Sequence, residues 1–143
     1  MEEIDLCWRM QSSGYRIGVE PSSKVYHLGG GTLSTLSPRK TMLNHRNNLA
    51  MLYKNLPMGH LLWVLPVRLV LDGVAAASYL AKCQWSCVKA VWQAHVGFCR
   101  MLPALRTKRT AERAKRTKLP TTIYRGSVIV RRLFGGKIFG NMM

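Results

Sequence analysis

Early in the chain, apolar side chains recur with two different periods. Over residues 4–13, Ile4, Cys7 and Trp8 fall on adjoining helical turns and Gly14 follows as a stop, which predicts a short helix. Tyr15, Ile17 and Val19 then alternate with Arg16 and Gly18, which predicts a strand. Pro21-Ser22-Ser23 reads as a turn, Lys24 to Leu28 as a second short strand with Val25 and His27 on one face, and Gly29-Gly30-Gly31 as a loop. The helical period returns at Ser37-Pro38, a hydroxyl N-cap before a proline at the first helical position, and runs to about Asn55, ahead of Pro57.

From Leu56 to Leu102 the pattern turns apolar and aromatic, with Trp63, Tyr79, Trp85, Trp92 and Phe98, interrupted by Arg68, Asp72, Lys82 and Lys89. The longest uncharged stretch, Asn55 to Val67, falls short of the roughly 20 residues a bilayer span needs. Two amphipathic helices lying in the headgroup layer are therefore expected, with Trp63, Trp85 and Trp92 at the water boundary. The alternatives are an ordinary soluble helical packing and a tilted span through Arg68 and Asp72, which would bury two ionisable groups that their i,i+4 spacing allows to pair. Beyond Pro103, ALRTKRTAERAKRTK has helix formers without an apolar stripe and is expected to be solvated and partly disordered by itself. The last stretch, 121–143, mixes a strand-like run with glycines.

Length and charge sharpen this picture. The 143 residues suffice for one domain, 48% are apolar, and the net charge is +16, so an anionic partner is expected. Residues 1–50 hold Glu2, Glu3, Asp5 and Glu20, whereas residues 100–119 hold eight bases, including Arg106, Lys108 and Arg109, against Glu112 alone. That block predicts an electrostatic tether worth about 1 kcal/mol per basic residue near an anionic bilayer. No zinc-finger, helix-turn-helix or aromatic RNA-binding pattern accompanies it, so sequence-specific nucleic-acid recognition is not expected. Cys7, Cys83, Cys87 and Cys99 do not form a disulfide framework, and Cys83, Cys87, His95 and Cys99 read as one helical stripe, which cannot wrap a zinc ion.

The opening carries the candidate chemistry. Glu2-Glu3-Ile4-Asp5-Leu6-Cys7-Trp8-Arg9, Gly14-Tyr15, Pro21, His27-Leu28-Gly29-Gly30 and Arg46-Asn47-Asn48 resemble, in order and spacing, the C-terminal part of the catalytic domain of bacterial family 2 glycosyltransferases of the rhamnosyltransferase-like type. The resemblance covers about residues 1–55. It implies an α/β fold, the C-terminal part of a GT-A-type nucleotide-sugar transferase domain (1–55), followed by amphipathic membrane-interface helices (56–103) and a basic tail (104–143). It also implies an inverting transfer of a sugar from a nucleotide-sugar donor to a polysaccharide or lipid-linked acceptor, at the cytoplasmic face of the inner membrane and in peripheral association with it.

By the same resemblance Glu3 takes the place of the acceptor base, with Glu2 and Asp5 on the same acidic edge. Asp5 and Arg9 are also spaced to pair, which would leave Asp5 no part in the chemistry. His27 takes the place of a ligand to the Mg or Mn ion of the complete enzyme, Gly29 and Gly30 give backbone freedom near a diphosphate, and Arg46 is placed to contact phosphate or to form a surface ion pair. Trp8 reads as core rather than as a sugar platform. The chain contains no Asp-x-Asp and begins inside the motif, so a fragment, inactive by itself and needing no cofactor of its own, is expected. The alternatives are a non-enzymatic basic module that binds anionic membrane or nucleic acid, and a small structural membrane protein.

Overall fold

Prolines set where the helices begin and stop. The computed structural model describes residues 2–26 and 37–117, which form four helices: α1 (Glu2–Ser12), α2 (Pro38–Asn55), α3 (Met58–Ala81) and α4 (Trp85–Lys115). Pro38 opens α2, where a missing N–H costs nothing, and Pro57 forces Leu56 into extended backbone (φ −70°, ψ 142°), which ends it. Pro66 and Pro103 lie inside α3 and α4 on exposed positions. α1 stops at a glycine cap: Gly14 has φ 93°, and Tyr15 N–H donates to Met10 O at 3.0 Å. A side chain at position 14 would also press on Thr117 Oγ1, 3.2 Å from where its Cβ would stand.

The turn from α3 to α4 has neither glycine nor proline. Cys83 adopts φ 55°, its N–H donates to Leu80 O at 2.9 Å, and Gln84 N–H donates to Tyr79 O at 2.9 Å. This left-handed cap on a non-glycine residue reverses the chain in three residues and lays α4 back along α3.

The main core lies between α2 and α4. Leu49, Phe98 and Leu105 are buried, and Tyr53 meets Phe98 edge-on at 6.0 Å between ring centroids. Ala90 and Ala94 are buried beside Val91, small residues that allow close approach of the helices.

α3 is attached to this pair by a polar hub. Asp72 is fully buried. Its Oδ1 lies 2.7 Å from Arg68 Nη2 and 2.7 Å from His45 Nδ1 of α2, and its Oδ2 lies 3.1 Å from His95 Nε2 of α4. An ionised carboxylate only accepts, so both imidazoles present N–H to it. His45 Nδ1, committed to Asp72, is then unavailable as an acceptor for Arg68 Nη2 at 3.4 Å.

Two expectations are corrected here. Among the described residues there is no strand, so residues 1–55 do not form the α/β, GT-A-type portion that the resemblance implied. Tyr15–Val19 has the alternation of a strand but, among the described residues, no neighbouring strand for its N–H and C=O groups, and Tyr15, Ile17 and Val19 are exposed. Lys24–Tyr26 is likewise not a strand, and Gly29-Gly30-Gly31 lies outside the described residues. The basic stretch after Pro103 is also not partly disordered as far as Lys115, because α4 continues through it, with Leu105 and Arg109 buried against α2.

Replacing Asp72 with Ala leaves the Arg68 guanidinium without its carboxylate and two ring N–H groups without an acceptor. Losing one member of a buried ionic cluster costs about 3–5 kcal/mol. Urea unfolding should place Asp72→Ala below the parent by that amount, and equal stabilities would mean that packing alone holds α3.

Candidate functional site

The acid-rich opening folds as the first turn of α1, where Glu2, Glu3 and Asp5 are favoured by the helix dipole and Arg9 lies near the opposite end. Its N-terminal half faces α2 and α4 across an open cleft of about 180 Å³, lined by Glu2, Asp5, Met51, Lys54, Met101 and Lys108 among others. Two cations and two acids therefore face one another around an apolar floor.

Asp5 is engaged. Lys54 Nζ donates to its Oδ2 at 2.5 Å, Asn55 Nδ2 to its Oδ1 at 2.6 Å, and Arg9 Nε to Oδ2 at 3.2 Å. Asn55, itself buried, also donates to Met51 O at 3.0 Å. Burial pushes the Asp5 carboxyl up, but the Lys54 and Asn55 hydrogen bonds and the charges of Lys54 and Arg9 outweigh it and hold the group below its ordinary value. Asp5 thus fastens α1 to the end of α2, and its three donors leave it a poor base. The Asp5–Arg9 pairing was legible from spacing, whereas Lys54 and Asn55 became partners only through the α1–α2 contact.

The other candidates separate. Glu2 lines the cleft, and Glu3 is exposed on the same turn. Arg46 lies along α2 with its aliphatic stem 3.1 Å from where a Cβ on Gly97 would stand, and its Nε and Nη2 donate to Asn47 Oδ1 at 3.1 and 3.0 Å. Among the described residues no carboxylate pairs with it. His27, Gly29 and Gly30 lie outside the described residues, so the place proposed for the Mg or Mn ion is not described. Among the described residues no group of three His, Cys, Asp or Glu side chains is placed to hold a metal ion; around Asp72 that place is taken by Arg68. All four cysteines are free, and Cys83 belongs to the turn before α4 rather than to a stripe along it.

The membrane candidates fall on two surfaces. Along α3 the exposed positions Leu62, Trp63, Pro66, Val67, Leu69, Val70, Gly73, Val74, Ala77 and Leu80 carry no charge, while Arg68 and Asp72 point inward. With 24 residues α3 is about 36 Å long, enough in length and composition to cross a bilayer core of about 30 Å. Along α4, Trp85, Trp92, Arg106 and Lys108 are exposed, whereas Arg109 is buried and donates through Nη1 to Tyr53 O. Arg109, expected among the membrane contacts, is therefore not one, because a basic run does not mark which of its residues faces a neighbouring helix.

A carboxyl with a lowered native value stabilises the fold fully above its ordinary value of about 3.9 and loses that contribution as pH falls through the native value. Glu20, whose carboxylate accepts from the Ser22 hydroxyl and N–H, is lowered as well, so the comparison is between the parent and Asp5→Asn. Below about pH 4 the parent should lose stability more steeply than Asp5→Asn in urea titrations at successive pH values. Parallel curves would remove Asp5 from the α1–α2 contact. No protein-family model, curated protein or solved structure matches this chain.

Proposed function

We propose that the chain is the membrane-docking part of a family 2 glycosyltransferase, working peripherally at the cytoplasmic face of the inner membrane. The observation that carries the membrane reading is the outward face of α3, uncharged from Leu62 to Leu80 although the helix contains Arg68 and Asp72. Its side chains range from 41% exposed at Leu69 to 79% at Trp63. Burying the exposed part of such residues is worth about 1 kcal/mol apiece. Seven of them, from Leu62 to Leu80, outweigh the screened attraction of a few surface bases. Immersed along its length, α3 places the exposed bases of α4, Arg106 and Lys108 among them, within reach of anionic headgroups.

The transfer reading rests on the ordered elements of residues 1–55. In it, Glu3 is the acceptor base, Glu2 lines the neighbouring cleft, and Asp5 holds the turn that presents them. The donor is a nucleotide-sugar, the acceptor a polysaccharide or lipid-linked glycan, and a Mg or Mn ion belongs to the complete site. The engagement of Asp5 by three donors favours a second reading, in which the opening is wholly structural and the chain is a non-enzymatic membrane module.

Flotation on liposomes separates the membrane terms. Binding to acidic vesicles should exceed binding to neutral ones at low salt, and the difference should shrink above about 0.15 M as charges are screened. Val70→Asp, a charge in the apolar face, should reduce binding to both vesicle types by about tenfold or more. Insensitivity to Val70→Asp would remove α3 from the interface, and carbonate-resistant association with protease protection of 104–117 would make α3 a span.

For transfer, residues 1–55 grafted into an intact family 2 enzyme supply the test. Glu3→Gln should slow transfer by about 10²–10⁴-fold, the usual cost of removing a general base. A rate near the parent's would leave the membrane module alone.

A further inference from the structure

The ends of α1, α2 and α4 meet at a junction built largely of arginine. Arg109 is only 5% exposed. Its guanidinium stacks on the Tyr53 ring at 5.4 Å and donates through Nη1 to Tyr53 O, yet its Nε and Nη2 are buried with no hydrogen-bond partner. Arg116 donates through Nη2 to Asn55 O at 2.6 Å, and its buried Nε is also unpartnered. A third unpartnered group, the buried Ser12 hydroxyl, belongs to the residue whose carbonyl accepts from Thr117 N–H at 2.9 Å.

Capping the carbonyls at the end of α2 explains one donor on each arginine and leaves the others unexplained. Such groups cost about as much as a lost hydrogen bond each, and more on a charged group. Charge is uncompensated as well. Arg113 lies one turn beyond Arg109 on α4 and Arg116 caps the end of that helix, and the carboxylates nearby are engaged, Asp5 with Lys54, Asn55 and Arg9, and Glu112 with Arg9 at 3.9 Å. Burial, then the charge of Arg113, holds Arg109 and Arg116 below the ordinary arginine value, an effect that Tyr53 partly offsets at Arg109.

We propose that this junction binds a phosphate monoester through the guanidinium groups of Arg109, Arg113 and Arg116, with the Ser12 hydroxyl as a further donor. Planar guanidinium forks match phosphate oxygens, and a tetrahedral dianion accepts from several directions at once, as one carboxylate does not. The site does not depend on the membrane reading, because it lies at the end of the α2–α4 pair and not on α3. The same chemistry is offered by free phosphate and by a phosphatidic acid headgroup.

The test uses the full chain with inorganic phosphate, titrated calorimetrically against chloride at constant ionic strength, and with phosphatidylcholine vesicles that contain or lack phosphatidic acid. Arg113→Gln alters an exposed residue, so the fold is not at stake, and Arg116→Lys keeps the charge but removes the fork. Each should weaken saturable phosphate binding by about tenfold, whereas Arg100→Gln, an exposed position elsewhere on α4 with the same change in net charge, should alter it by less than about twofold. Saturation by inorganic phosphate identifies a soluble ligand, and Arg113-dependent binding confined to phosphatidic acid vesicles identifies a headgroup; both support the site. Absence of saturable binding in both arms, or equal losses in Arg100→Gln and Arg113→Gln, would overturn it.

Discussion

A carboxylate placed in the middle of an apolar helix has to be satisfied from outside that helix or from one turn away. Asp72 draws on both, with Arg68 four residues before it, His45 from α2 and His95 from α4. Directional donors on two other helices fix the rotation of α3 about its axis more narrowly than methyl packing can, because an apolar face tolerates slippage and a hydrogen bond does not. Once Asp72 faces inward, the opposite face of α3 is determined. That face is the uncharged one, so the hub that ties the helices together also sets which surface meets the surroundings.

The α2–α4 pair is held differently. Leu49, Phe98 and Leu105 supply non-directional burial, while Arg109 and Arg116 reach across to the last carbonyls of α2, where the helix dipole favours a cation. α1 joins this end through Asp5 and through the bond from Thr117 to Ser12. The polar contacts thus collect at two places, mid-α3 and the shared helix ends, with the apolar core between them.

What was legible in the sequence follows from the range of each signal. The start of α2 at Pro38 and its end just ahead of Pro57 are local steric facts and could be read directly, as could the i,i+4 pairs Asp5–Arg9 and Arg68–Asp72. The alternation of Tyr15, Ile17 and Val19 was equally plain and misled, because a strand exists only with a partner and alternation carries no word of one. Cys83 in a left-handed turn breaks the rule that such positions go to glycine, so the limit between α3 and α4 had no local marker. Lys54 and Asn55 around Asp5, and His45 and His95 around Asp72, come from residues 23 to 50 positions away. Those partners exist only through the packing of the helices, so the role of Asp5 as a tie between α1 and α2 had no local sign beyond its spacing from Arg9.

Charge placement explains how so basic a chain can still present an apolar surface. A net charge of +16 spread evenly would leave no face of α3 free of it. Instead its single arginine is turned inward against Asp72, and the bases concentrate along α4 and its end. The cost of burying Arg68 is offset locally by a carboxylate, whereas the cost of gathering Arg109, Arg113 and Arg116 is offset by the α2 carbonyls and the Tyr53 ring only in part. The two sites therefore differ in kind. Around Asp72 a buried carboxylate takes donors from three helices and leaves one, Arg68 Nε, without a partner, while at the helix ends no carboxylate among the described residues meets Arg109 or Arg116, and that imbalance is what gives the arginine junction an affinity for an anion from outside.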